Sequence, residues 1–340
     1  MTAGRGLRDA FGRLHTDLRI SVTDRCNLRC GYCMAEEAVF QPPESLLSDA
    51  EIARVVAVAA GQGVRTLRLT GGEPLLRRGL AGLVRRLVAV PGIAEVALTT
   101  NGLLLAEQAA DLRRAGLARL NVSLDAVDAD VFARITRRRG LERVLAGLAA
   151  ARQAGFAAIR INAVSIRGLT EGEIVPLVRF CRREGFALRF IEFMPLDQEA
   201  GWSPAGVLSG AQVRAIIERE VGRLVPVAGG DPGQPAVDYR WADVGPEDRG
   251  PEAATVGFID PVTAPFCDRC DRLRLTADGQ FRNCLFSPVD WDVRRVLRDG
   301  GDDAEIARLL AACVAAKRAG HGIGTPQFAR PARAMYQIGG

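Results

Sequence analysis

From about Asp17 to about Glu220 the chain alternates short apolar runs with amphipathic stretches, and this alternation restricts its fold more than any other feature. The runs Leu18 to Val22, Thr66 to Thr70, Ala94 to Thr99, Arg119 to Ser123, Ala158 to Val164 and Leu188 to Phe193 have strand length and strand composition. Between them, Asp49 to Gln62, Arg78 to Val90, Ala106 to Ala115, Leu141 to Ala154 and Glu171 to Glu184 repeat apolar residues at helical spacing. Gly116, Gly155 and Gly185 stand where a helix end favours a left-handed residue. Strands joined by helical crossovers pair in parallel. Six such units predict an α/β fold, either an incomplete barrel or a doubly wound sheet, with chemistry on the loops that follow the strands.

The pattern then breaks. Residues 229–252 hold five glycines and four prolines and read as a long loop. Beyond it, Thr255 to Ile259, Arg272 to Thr276 and Gln280 to Arg282 read as short strands, with Ala277-Asp278-Gly279 as a turn. Helical patterns follow at Val289 to Arg298 and Asp303 to Lys317, and the chain ends in Gly339-Gly340. The expected division is an N-terminal extension (1–16), a strand-helix part (17–225) and a C-terminal part (226–340). No apolar run approaches the ~18 residues of a spanning helix, and Met1 to Thr16 lacks a leader-like apolar core. No membrane association is expected, and a cytoplasmic location is.

Charge is modest in sum but lopsided in kind. The net charge is +5 over 340 residues, with cations interleaved among 40 acids, so nucleic acid is not an expected partner. Lys317 is the only lysine, leaving 44 arginines, and His15 and His321 are the only imidazoles. The eight cysteines are therefore the conspicuous chemical resource.

Six of them form two trios. Cys26, Cys30 and Cys33 lie in Cys-Asn-Leu-Arg-Cys-Gly-Tyr-Cys, directly after the first expected strand. Three thiolates can hold three irons of a 4Fe–4S cube and leave the fourth open to a small chelator. A structural zinc would need a fourth ligand, and neither histidine lies at a suitable spacing. The second trio is Cys267, Cys270 and Cys284. Alone it reads either as a zinc knuckle borrowing Cys181 or Cys313, or as a second open-site cluster; the first trio beside it favours the cluster. Cys181 and Cys313 sit in helical patterns and are expected in the core.

The spacing of the first trio, the aromatic Tyr32 before its third cysteine and the run Gly71-Gly72-Glu73-Pro74 after the second strand resemble the radical S-adenosylmethionine (SAM) enzymes. The segment Phe-Cys-Asp-Arg-Cys-Asp-Arg-Leu-Arg-Leu-Thr-Ala-Asp-Gly, the later Cys-Leu-Phe and the terminal Gly-Gly are similar to the GTP 3′,8-cyclases of molybdenum cofactor biosynthesis. The resemblance runs from Leu18 to Gly340. It implies an incomplete (β/α)6 TIM-type barrel with a C-terminal extension carrying a second iron–sulfur cluster.

It also implies two 4Fe–4S clusters and SAM as cofactors, with Tyr32, Gly72, Glu73, Ser123 and Met194 around SAM. GTP would be held by Arg19, Arg68, Thr99 and Arg160 in the barrel and by Arg272, Leu273 and Arg274 beside the second cluster. The implied reaction is reductive cleavage of SAM to a 5′-deoxyadenosyl radical, abstraction of the 3′ hydrogen of GTP, and attack on C8 to give 3′,8-cyclo-7,8-dihydro-GTP. Further implied partners are an electron donor and a cyclic pyranopterin monophosphate synthase that receives the product; a homodimer is one assembly the resemblance allows. A frayed end is the default for any tail, whereas the resemblance implies a Gly-Gly tail that enters the active site. Two positions depart from the pattern: Arg160 replaces the usual lysine and Asp271 the usual asparagine. For any single arginine an ordinary ion pair is the alternative, and Arg137-Arg138-Arg139 is expected as a solvated turn. The competing functions are a radical SAM peptide-modifying enzyme with an auxiliary cluster and a zinc-stabilised binding module.

Overall fold

Strand, helix and strand follow one another through the first two thirds of the computed structural model, which describes residues 6–197, 201–229, 233–245 and 255–339. The order is β1 (Asp17–Ser21), α1 (Asp49–Gly61), β2 (Thr66–Thr70), α2 (Leu80–Val88), β3 (Glu95–Thr100), α3 (Leu105–Arg114), β4 (Arg119–Ser123), α4 (Ala129–Thr136), α5 (Leu141–Gln153), β5 (Ile159–Ser165), α6 (Ile174–Glu184) and β6 (Ala187–Glu192). After it come α7 (Gly210–Glu220), β7 (Leu224–Pro226), β8 (Val237–Trp241), β9 (Val256–Ile259), β10 (Arg272–Leu275), β11 (Gln280–Arg282), β12 (Trp291–Asp292), α8 (Val293–Arg298), α9 (Asp303–Ala315) and α10 (Met335–Ile338). All six expected strands and five crossover helices are present, with ends displaced by a few residues.

The strands form one sheet in the order β12-β11-β10-β1-β2-β3-β4-β5-β6-β9-β8-β7. β1 through β6 are the expected parallel neighbours, and the C-terminal part adds a parallel strand to each side, β10 beside β1 and β9 beside β6. The two ends of that order do not pair among the described residues, so the barrel is incomplete. β7, β8 and β12 add short antiparallel edges. The expected long loop is thus interrupted: Val237–Trp241 pairs with both β7 and β9, and Trp241 is buried. α4 and α7 were also not expected. Each is started by a side-chain cap, Asp128 for α4 and the Ser209–Gln212 capping box for α7.

Strand alternation decides what faces the helices and what faces the barrel interior. Leu18 and Ile20 of β1, Leu67 and Leu69 of β2, and Leu273 and Leu275 of β10 are buried in the outer core, each contributing about 2–3 kcal/mol of apolar burial. The residues between them, Arg19, Arg68, Arg272 and Arg274, therefore turn inward. Cys181 and Cys313 are core residues, as expected. Arg137, Arg138 and Arg139 form an exposed turn after α4, with Arg138 paired to Glu36.

Candidate active site

The first cysteine loop is held by the glycine pair after β2. Gly72 N–H donates to the Thr23 carbonyl and Glu73 N–H to that of Arg25, both at 2.7 Å. A Cβ on Gly71 would lie 2.2 Å from the Thr23 oxygen, and Gly71 has φ +148; one on Gly72 would lie 2.3 Å from the Arg25 oxygen. These glycines permit close approach, as anticipated, but the backbone approached is the chain's own, just before Cys26. The Glu73 carboxylate accepts from Leu75 N–H at 2.9 Å, Thr100 Oγ1 at 2.7 Å and Asn101 N–H at 2.7 Å. Its burial raises its pKa to about 7, despite those three hydrogen bonds.

Burial likewise pushes the Cys26 thiol up to about 11 and Cys33 to about 12, and raises Cys30 well above the usual thiol range. Without a metal these thiols stay protonated; coordination to iron is what would ionise them. Asn101 Nδ2 reaches Cys26 Sγ at 3.9 Å, and Leu28 N–H donates to the same sulfur at 3.4 Å. Tyr32 Oη donates to Asp125 at 2.5 Å, and Asp125 also accepts from Val164 N–H at 2.8 Å. Burial lifts Asp125 to about 6.

The second trio begins on the short turn Cys267–Arg269 and surrounds β10. Burial raises Cys267, whereas the Arg272 and Lys317 charges overcome burial at Cys270 and lower it to about 6. Both trios open onto one cavity of about 320 Å³. Two sets of three soft sulfur donors, with no histidine completing either sequence motif, fit clusters that keep one iron open. Among the described residues no three His, Cys, Asp or Glu side chains converge on a single metal ion.

Between the trios, strand register builds a row of cations. Arg19 stands opposite Arg68 on one side and Arg274 on the other, so three arginines lie abreast at strand spacing. Burial and then the Arg68, Arg274 and Arg272 charges push the Arg19 pKa well down. Asp17, 3.8 Å away, is the carboxylate paired with Arg19. Arg19 Nε, Arg68 Nε and Arg272 Nε are buried with no hydrogen-bond acceptor among the described residues. Like charges packed in a dry interior are unfavourable unless an anion joins them.

All five residues expected around SAM line this cavity. So do Arg19, Arg68, Thr99, Arg272 and Arg274 from the expected GTP set. Two of that set do not. The Leu273 side chain is buried in the outer core, because strand alternation turns it away from its arginine neighbours. Arg160 is buried on β5 two residues before the cavity-lining Asn162, roughly 6–7 Å further from the mouth of the barrel. Arg189 was overlooked: it lines the cavity from β6 and pairs with Asp238 at 3.1 Å. The arginine-apolar alternation that revealed Arg68 is equally present in Leu188-Arg189-Phe190. Asn101 and Asp125 were missed as well, since each follows a strand end without a distinctive motif.

The tail also reaches this region. The Gly339 carbonyl accepts from Arg274 Nη1, and a Cβ at Gly339 would lie 2.9 Å from Ser21 Cβ. Gly340 lies outside the described residues. Asp271, the second departure, accepts weakly from Thr16 Oγ1 at 3.4 Å, and its pKa is raised by burial and by Asp17.

Residues 20–181 match the Radical SAM superfamily and residues 186–323 match Molybdenum Cofactor Synthesis C. The chain is 47% identical to a GTP 3′,8-cyclase of Rhodopirellula baltica, over 100% of this chain and 94% of the relative. It is 44% identical to a GTP 3′,8-cyclase of Streptomyces coelicolor, over 98% of this chain and 96% of the relative. The crystal structure of Streptococcus suis SuiB bound to S-adenosylmethionine shares the fold, with a TM-score of 0.61 at 16% identity, covering 94% of this chain and 77% of that one. Two sulfur trios facing one arginine-lined cavity, on a parallel barrel with this degree of likeness, mean that the chain belongs to the GTP 3′,8-cyclase family of radical SAM enzymes.

Proposed function

We propose that the protein converts GTP to 3′,8-cyclo-7,8-dihydroguanosine 5′-triphosphate, with SAM as the radical source, in molybdenum cofactor biosynthesis. The observation that carries this reading is the buried row Arg274–Arg19–Arg68 between two cysteine trios. A triphosphate supplies the missing negative charge, and planar guanidinium forks suit its oxygens.

Cys26, Cys30 and Cys33 would hold a cluster able to supply the electron for SAM cleavage, and Cys267, Cys270 and Cys284 would hold one able to offer an open iron to the purine. The protein's own groups do the placing. Glu73 accepts from the SAM ammonium, with Tyr32, Gly72, Ser123 and Met194 around the rest of the molecule. Arg19, Arg68, Arg272, Arg274 and the newly added Arg189 neutralise the phosphates, and Thr99 offers a hydroxyl. Arg160 acts from beneath, as a buried charge, and Leu273 through its backbone. Apolar walls that include Phe132, Val164 and Ile191 exclude water from a reactive radical. An electron donor, transfer of the product to a cyclic pyranopterin monophosphate synthase, a homodimer and a cytoplasmic setting belong to the same reading. No described helix is long and apolar enough to cross a membrane.

The test is anaerobic incubation with SAM, dithionite and GTP, followed by product analysis. The expected outcome is 5′-deoxyadenosine formation that depends on GTP and matches the cyclised nucleotide in amount. If 5′-deoxyadenosine forms at the same rate with GTP omitted, and no cyclised nucleotide appears, GTP is not the substrate.

A further inference from the structure

The single lysine of the chain is buried, 5% exposed, against the second cysteine trio. Just beyond α9, its Nζ donates to the Arg272 carbonyl at 2.8 Å and the Cys270 carbonyl at 3.1 Å, and lies 3.5 Å from Cys270 Sγ. Its remaining neighbour is His15 Nδ1, also at 3.5 Å. The other ring nitrogen, His15 Nε2, donates to the Asp9 carboxylate at 3.0 Å. His15 and the Asp9 carboxylate are fully enclosed. Asp9 also pairs with Arg13 Nε, and Arg13 in turn donates to the carbonyls of Cys267, Arg318 and Ala319. The N-terminal segment and the end of α9 thus close together over the backbone that presents Cys267 and Cys270.

We propose that Lys317, held by the Asp9–Arg13–His15 group, is a positioning residue that fixes the Cys267–Cys270 loop and raises the reduction potential of the cluster it carries. The inference rests on the reading of the second trio as a cluster site. Residue chemistry accounts for the lysine. A compact ammonium can direct donors to two carbonyls and a sulfur that are not coplanar, whereas the flat guanidinium used elsewhere in this chain cannot. A donor and a positive charge beside a ligating sulfur stabilise the reduced, more negative cluster.

The experiment uses the full-length chain with Cys26→Ala, Cys30→Ala and Cys33→Ala, so that any iron reports on the second trio. Lys317→Gln, Lys317→Arg and Lys317→Met are compared in this background after anaerobic reconstitution, by iron content, thermal unfolding and potentiometric titration. Lys317→Gln, which keeps a donor and loses the charge, is expected to retain iron and shift the midpoint to lower potential; Lys317→Met shifts it further or loses the iron. Lys317→Arg keeps the charge and lies nearer the parent. An unchanged midpoint in iron-loaded Lys317→Gln overturns the proposal. No iron in the parent background would instead overturn the cluster reading itself.

Discussion

Glu73 shows how burial turns one side chain into a measurable switch. Its folded pKa of about 7 lies above the ordinary 4.5, so the folded protein binds the proton more tightly than the unfolded chain. The stability this provides is fully present below about 4.5 and is lost as pH rises through about 7. Binding has the opposite sign, since the SAM ammonium needs the ionised form. Affinity for SAM should rise up to about tenfold per pH unit below 7 and level off above it. Calorimetry between pH 5.5 and 8 checks this, and Glu73→Gln should flatten the profile; a wild-type profile that is already flat would remove Glu73 from the ammonium site. Arg274 makes a second case. Its pKa is lowered to about 9, first by burial and then by Arg272, a cost that bound anion would relieve. Arg274→Ala should weaken GTP at least about tenfold, in line with ~1.5–3 kcal/mol for a charged hydrogen bond, and leave SAM affinity within about twofold. Equal losses for both ligands would indicate damage to the fold. At this scale the sequence was most readable where a residue type repeats in a short motif. The six cysteines and Glu73 stood out, while Arg189 was hidden among 44 arginines, and Leu273, placed in the GTP set by resemblance, turns its side chain to the core.

The six central strands and their crossovers were legible because periodicity is local. The places of β9 and β10 were not. β10 pairs with a strand more than 250 residues earlier, and nothing within Arg272–Leu275 states which edge it will join. That pairing nevertheless builds the arginine row, because it sets Arg274 opposite Arg19. β8 was hidden for another reason, as the glycines and prolines around it read as loop. The loop after β2 carries a prediction at the element scale. Gly72 lies against the carbonyls of Asp24 and Arg25, where an added methyl would have to displace backbone rather than a flexible side chain. Gly72→Ala should therefore shift the loop that carries Cys26. The expected result is loss of about half the iron per chain and at least tenfold slower SAM cleavage, with the second trio still loaded. Full iron content and wild-type cleavage would show that the loop can move without consequence.

Across the whole molecule, the cavity is completed by pieces from both ends of the chain: β1, β10 and the tail. Arg333 ties the approach to the tail by pairing with Asp278 at 2.9 Å and Asp290 at 2.7 Å, and Tyr336 and Ile338 of α10 are buried. Gly339 then turns at φ +84 and offers its carbonyl to Arg274. The terminal glycines alone could not say whether the tail frays or docks. What decides it is the anchoring of α10 upstream, a tertiary feature with no sequence signature. Because Arg274 also belongs to the proposed phosphate row, tail and nucleotide share one guanidinium, and altering the tail should be felt by GTP rather than by SAM. Gly339→Val tests this. A branched side chain at that φ is strained, and its Cβ would meet Ser21 Cβ at 2.9 Å and Thr70 Cγ2 at 3.1 Å. Iron content and SAM binding should be retained, while GTP-dependent 5′-deoxyadenosine formation falls at least tenfold. The buried arginines sense only the part of the tail that touches them, so the loss should appear in turnover with GTP and not in melting temperature by more than a few degrees. Unimpaired cyclisation in Gly339→Val would mean that the contact between Gly339 and Arg274 is dispensable and that the arginine row recognises the nucleotide without help from the tail.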